Sequence, residues 1–395
     1  MIIIDSKASC SGCYACVSIC PQNCIEMNID REGFWYPKID AASCSDCGFC
    51  KKVCPIIHKW KSDDNYSTVA YSAINKNEEI RFQSSSGGIF TLLAKEIIKQ
   101  GGVVFGASFS DDFKEVKHIF VDNIENLDKL RGSKYVQSEI GDTYKQAKSF
   151  LDTGRKVLFT GTPCQIGGLH SYLRKKYDNL LTQDLICHGV PSPIVWKKYV
   201  EEREQIAASK TQRMFFRHKK YGWKTYAVLF EFANNTAYIK RFNEDVFMRA
   251  FLSNACLRPS CYNCSFKSIH RQADITLADF WGIQDIMPEM DDDKGTSLVL
   301  IHSQSGKLLF DAIYEQIDFS HVSCDEAIKY NSAAIKSCSQ FTKRDVFFRY
   351  INKIGVEFAV KKYISNSRYV KLKKTLKLVI HYFRTLGRKF KSLKK

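Results

Sequence analysis

No stretch of the 395-residue sequence approaches the roughly 20 consecutive apolar residues that a membrane-spanning helix needs. The apolar start, Met1 to Ile4, runs straight into Asp5 and Lys7 rather than into a signal-peptide pattern, so a cytoplasmic protein is expected. No Gly-x-Gly-x-x-Gly follows a strand-like segment, which removes support for a Rossmann nucleotide site. No repeat is visible in the central region. Acidic residues are missing from Ala359 onward, whereas 361–395 holds thirteen Lys or Arg. The net charge of +17 is therefore concentrated at that end, and the rest of the chain carries an ordinary balance of about +4.

What is present is cysteine, sixteen in all, with a strongly uneven distribution. Nine lie within the first 54 residues, and five more stand at 164, 187, 256, 261 and 264. In a reducing compartment such clusters bind metal or do redox chemistry rather than form disulfides. Apolar residues at 45%, with Phe 27 and Tyr 19, supply a sizeable core and argue against disorder.

Cys10, Cys13, Cys16 and Cys20 are followed by Pro21, and Cys44, Cys47, Cys50 and Cys54 by Pro55. Both runs read C-x2-C-x2-C-x3-C-P, the arrangement of bacterial two-cluster ferredoxins, in which the fourth cysteine ligates the other cluster. Three thiolates two residues apart on a tight loop can wrap three corners of one cubane. The fourth is expected to start a short helix that points away. One [4Fe–4S] cluster is thus assigned to Cys10, Cys13, Cys16 and Cys54, and a second to Cys44, Cys47, Cys50 and Cys20. Paired zinc sites are the competing reading, but they usually join two C-x2-C halves across a longer gap. Cys24 falls outside the pattern and is expected to be a small buried residue. The linker 25–37 alternates around Asp30 and Gly33 and reads as a hairpin.

A polar stretch around 56–66 separates this module from a region, 68–336, in which strand-like and helix-like segments alternate. Val103–Phe109, 156–160 and 180–186 are apolar and β-rich, while Ile89–Lys99, 144–152 and 195–207 carry helical periodicity. Ser84, Ser85, Ser86, Gly87 and Gly88 precede the first of these helices, a place where free N–H groups suit a phosphate or where a serine simply caps. Cys164 and Cys187 each follow a strand, at the edge where α/β sheets gather ligands. Cys256, Cys261 and Cys264 need a fourth ligand to close a cluster, and either Cys164 or Cys187 could supply it. A third [4Fe–4S] cluster is expected there, with a zinc knuckle as the alternative. Cys324 and Cys338 have no sequence partners and are not expected to be ligands.

The motifs SSGG at 85–88, RGSKYVQS at 131–138, GTPCQ at 161–165, CHG at 187–189, ADI at 273–275, FWG at 280–282 and KGTS at 294–297 occur in this order. Together they resemble the coenzyme F420 hydrogenase/dehydrogenase beta subunit family across roughly 68–336. The CHG version and the fused two-cluster module resemble its bacterial branch, which includes proteins associated with polysaccharide synthesis. The resemblance implies a flavin, FAD, beside a [4Fe–4S] cluster, and an oxidoreductase acting on a small-molecule substrate that the family name does not fix. It implies flavin contacts at Ser86, Gly87, Gly88, Lys134 and Thr162, with Lys134 facing a phosphate or the ring. It makes His188 the candidate proton donor. Asp274 and Asp279 flank a strand and are read as supporting groups or surface caps.

The expected architecture is α+β: a two-cluster ferredoxin fold over 1–60, a mixed α/β flavin and iron–sulfur domain over 68–336, and a basic helical tail over 337–395. In the tail, Leu372, Leu376, Val379, Ile380 and Phe383 recur at helical spacing with lysines on the other faces. It either lies on an anionic membrane surface, peripheral to the inner face, or packs on its own domain. No aromatic–basic pattern supports nucleic-acid binding. The expected partners are a redox partner, either a ferredoxin-like donor or an oxidoreductase subunit, and the substrate. An electron-transfer subunit without a substrate of its own is the alternative function.

Overall fold

The computed structural model describes residues 2–58 and 66–364. The N-terminal module is built on a hairpin of β1 (Ile25–Ile29) and β2 (Trp35–Ile39), antiparallel in register Ile25 to Ile39. Asp30 closes its turn by accepting the Glu32 and Phe34 amides on its side chain. Two one-turn helices, Ala15–Ser18 and Phe49–Lys52, flank the hairpin. Each contains the third cysteine of its run, and the fourth cysteine follows the helix rather than starting it, which corrects the expected helix position.

The rest of the chain contributes β3 (Val69–Asn75), β4 (Val103–Phe109), β5 (Val116–Val121), β6 (Val157–Thr160), β7 (Leu180–Leu185), β8 (Thr211–His218), β9 (Ala227–Phe232), β10 (Ala237–Arg241), β11 (Ile275–Asp279), β12 (Ser297–Ile301) and β13 (Ile317–Val322). Eight of these form one mixed sheet in the order β13-β3-β12-β11-β7-β6-β4-β5. Its centre, β11-β7-β6-β4, is parallel, and the flanking pairs are antiparallel. The central strands read as continuous apolar runs because both faces are covered. β6 is buried at every position. Helix Ile89–Lys99 packs Leu93 and Ile97 on one face, and helices Thr143–Asp152 and Pro163–Leu173 cover the other. β8, β9 and β10 form a separate antiparallel sheet around Trp196, Phe230 and Phe247.

The expected tail divides in two. Helices Arg344–Ile354 and Val356–Tyr363 place Phe347, Ile351, Val356 and Val360 in the same core as Trp196, so the chain is an integral part of the fold to residue 364. Arg344 is also buried against Glu32 of the hairpin, Nη1 to Oε1 2.7 Å and Nη2 to Oε2 2.8 Å. The amphipathic segment with Leu372 and Phe383 lies outside the described residues. No helix among the described residues is long and apolar enough to cross a membrane.

Candidate functional site

The cysteine runs wrap cavities, and a left-handed residue turns each loop. Gly12 (φ 68°) and Tyr14 (φ 67°) do so in the first run, Asp46 (φ 49°) and Gly48 (φ 74°) in the second. One cavity is lined by Cys10, Cys13, Cys16 and Cys54, the other by Cys44, Cys47, Cys50 and Cys20. Each takes its fourth thiol from the opposite run, as the spacing predicts. Burial, followed by neighbouring thiols, pushes the Cys16 thiol well up, and burial pushes Cys13 up to about 12. Metal coordination would reverse this by displacing the protons. Cys24 also reaches the second cavity, its Sγ 3.4 Å from that of Cys20. Cys47 is exposed, so the second cavity has one of its thiols at the surface.

A third cavity is lined by Cys164, Cys187, Cys261 and Cys264. Cys164 sits in the first turn of helix Pro163–Leu173, which Thr162 and Gln165 cap reciprocally. The positive end of that helix favours a thiolate. Cys187 follows β7, and its carbonyl accepts from the Lys267 ammonium. Cys261 lies in the 3-10 turn Pro259–Asn263, with its Sγ accepting from the Val190 amide at 3.4 Å. Burial pushes Cys164 and Cys261 well up and Cys187 up to about 11. Cys256 is not brought to this cavity. It is fully buried in the apolar core that also holds Phe347 and Leu257. Cys164 and Cys187 take part together, because β6 and β7 are neighbours and end at the same edge. Among the described residues, no three His, Cys, Asp or Glu converge tightly enough for a single metal ion.

Beyond the third cavity, at the C-terminal edge of the parallel strands, opens a cleft of about 500 Å³. That is the size of a cofactor pocket. Ser86, Gly88, Lys134, Thr162 and His188 all line it. Gly87 does not. A Cβ there would stand 2.4 Å from the Ala73 carbonyl oxygen, and its N–H is taken by Ser297 Oγ at 3.0 Å. Gly87 is thus a packing requirement behind the loop. Ser85 Oγ accepts from the Ser133 amide at 2.7 Å, which ties the serine loop to the turn carrying Lys134.

Two lysines embrace this loop without a carboxylate partner among the described residues. Lys134, its stem half-buried, donates to the carbonyls of Arg131 (2.8 Å) and Lys129 (3.0 Å). Burial, helped by the Arg131 charge, pushes it down to about 7. Lys219 donates from behind the loop to the carbonyls of Arg81 (2.6 Å) and Ser86 (2.7 Å), and burial pushes it down to about 7 as well. Of the two, only Lys134 lines the cleft, where an ammonium beside a serine–glycine turn suits an anionic group such as a phosphate.

His188 and Cys187 line both the third cavity and the cleft. His188 Nε2 donates to Asn254 Oδ1 at 2.7 Å, and the Asn254 amide is oriented by donating to the Ser339 carbonyl at 2.9 Å. Burial pushes the His188 pKa down, so at neutral pH its single ring proton is committed to Asn254.

Sequence reasoning missed two cleft residues. His118 donates from Nε2 to the Thr160 carbonyl at 3.0 Å, which leaves a buried Nδ1 acceptor without a partner. Burial lowers its pKa to about 4, so the ring stays neutral. Gln183 Oε1 is likewise buried and unpartnered. Neither lies in a motif, and only strand adjacency places them in one cleft. Asp279 is an ion-pair partner, holding Arg217 at 2.7 and 3.1 Å, and Asp274 accepts from Thr182 and Ser303.

The model described as "Coenzyme F420 hydrogenase/dehydrogenase, beta subunit N-term" matches 70–144, and its C-terminus counterpart matches 154–327. A 4Fe-4S dicluster domain matches 9–56. No curated protein matches the sequence. Among solved structures, a chain of the F420-reducing [NiFe] hydrogenase complex from Methanosarcina barkeri is similar at 18% identity and TM-score 0.48, covering 68% of this chain and 89% of that one. On the two matched halves and the dicluster domain, the chain belongs to the coenzyme F420 hydrogenase/dehydrogenase beta subunit family and is an iron–sulfur electron-transfer protein of it.

Proposed function

We propose that the chain is an iron–sulfur flavoprotein oxidoreductase with three [4Fe–4S] clusters and one FAD, acting on a small-molecule substrate. The observation that carries this is the order of the cavities. The Cys10 and Cys164 cavities share Ser11 and Ile56 as walls, and the Cys164 cavity and the cleft share Cys187 and His188. Clusters supply one-electron steps, and a flavin exchanges two electrons for single ones.

The residues take distinct tasks in this reading. Cys164, Cys187, Cys261 and Cys264 hold the third cluster, and Cys256 packs the core. Ser86, Gly88, Lys134 and Thr162 hold the flavin, with Lys134 facing its phosphates and Lys219 bracing the loop from behind. His118 Nδ1 and Gln183 Oε1 accept from donors on the bound group. His188 separates cluster from cleft as a neutral, oriented ring. The exposed Cys47 rim is where a one-electron partner docks.

The test is anaerobic reconstitution and flavin extraction, followed by reduction with a one-electron donor. About one flavin per chain should be released. In the intact protein the donor should bleach the flavin. In Cys261→Ala the flavin should stay bound but bleach far more slowly. Absence of extractable flavin would favour the second reading, an electron-transfer subunit that serves a partner enzyme. That reading draws on the family's description as a beta subunit and on the exposed Cys47.

A further inference from the structure

Arg258 is fully buried and has no carboxylate partner among the described residues. Its Nε donates to the Cys10 carbonyl at 2.8 Å, Nη1 to Gln137 Oε1 at 3.1 Å, and Nη2 to the Trp35 carbonyl at 2.9 Å. The rings of Tyr36 (4.3 Å) and Phe34 (5.6 Å) complete the surroundings. Each of these hydrogen-bond and ring partners is neutral. The Cys10 loop is shaped around the guanidinium, since a Cβ on Gly12 would stand 2.9 Å from Nη1 and 3.0 Å from Cζ. The backbone of Arg258 belongs to the other site. Its carbonyl accepts from the Cys261 amide at 2.9 Å, and the residue lines the Cys164 cavity. One residue thus has its main chain in one cysteine loop and its charge against another.

A buried cation without an anion is costly, and guanidinium cannot escape by losing its proton. A thiolate-ligated cubane is a net anion whose negative charge grows by one on reduction. We propose that Arg258 is the shared counter-charge of the Cys10/Cys13/Cys16/Cys54 cluster and the Cys164/Cys187/Cys261/Cys264 cluster. It stabilises the reduced form of both, and so keeps their potentials matched for electron transfer between them. This rests on the three-cluster reading above. The cluster at Cys44, Cys47, Cys50 and Cys20 does not touch Arg258 and lies outside its effect.

The test is an EPR-monitored dithionite titration of the full chain, with iron counted first. Arg258→Gln removes the charge and keeps a donor. Gln137→Glu leaves the guanidinium in place but neutralises it with a carboxylate, and so covers the case in which Arg258→Gln fails to fold. Both variants should lower the midpoints of the two inner clusters, each losing roughly tenfold or more in electron affinity, which is about 59 mV for one electron. The solvent-side cluster should not move, and Arg258→Lys should restore most of the loss. Unchanged inner potentials, or an equal shift of all three clusters, would overturn the role of Arg258. About eight irons in the wild-type protein would instead overturn the three-cluster reading, before any titration is made.

Discussion

Cys256→Ala and Cys261→Ala are expected to separate cleanly. The first empties a small volume in the core that also holds Phe347 and should cost roughly 1–2 kcal/mol, read as a lower urea midpoint with the iron content unchanged. The second removes a thiol from the third cavity and should lose about four irons with the N-terminal clusters intact. Sequence spacing made these two cysteines look alike. It counts residues along the chain, whereas what separates them is that Cys256 follows helix Val246–Leu252 into the apolar core. The eight N-terminal cysteines were legible because their ligand set is local to two short loops.

Lys134 carries a second prediction at this scale. Its folded pKa, about 7, lies below that of the unfolded chain, so the folded state binds the proton less tightly. The penalty is present in full below about pH 7 and is relieved as pH rises toward 10.5. Flavin-free protein should therefore gain stability between those limits, and Lys134→Met should remove about half of that slope, the rest belonging to Lys219, which burial pushes down to about 7 as well. An anionic ligand has the opposite linkage. FAD affinity should fall as pH rises above about 7, and fluorescence titration of Lys134→Met should show weak binding with little pH dependence.

Among the elements, the hairpin and the helix Arg344–Ile354 are joined by the buried pair Glu32–Arg344, with both side chains 6% exposed. Removing one partner of such a pair typically costs about 3–5 kcal/mol because the other charge is left buried. Glu32→Gln should lower the urea midpoint markedly, and pairing it with Arg344→Met should recover most of the loss. Equal loss in the single and double variants would show that the pair is not coupled. Strands and helices with strong period or apolar runs were legible: Ile89–Lys99 and Val103–Phe109 form with the expected bounds. The helices after residue 343 were assigned to the tail because basic composition at the very end coloured the whole stretch. Their apolar stripe, Phe347, Phe348 and Ile351, points into the core of the neighbouring sheet.

For the whole molecule, the order of sites is the property that sequence could not supply. The two cysteine-rich regions are more than a hundred residues apart. They meet because the loop around Cys10 packs on Arg258 and the 3-10 turn that follows it. That tertiary contact brings the cysteine-lined cavities and the cleft at the sheet edge into a series, with Cys47 exposed at its far end. The most direct measurement of this account is iron per chain in anaerobically reconstituted protein, with Cys261→Ala alongside. The account predicts about twelve irons in the wild-type protein and about eight in the variant. About eight in both would contradict it, because the third site would then be only a group of buried thiols.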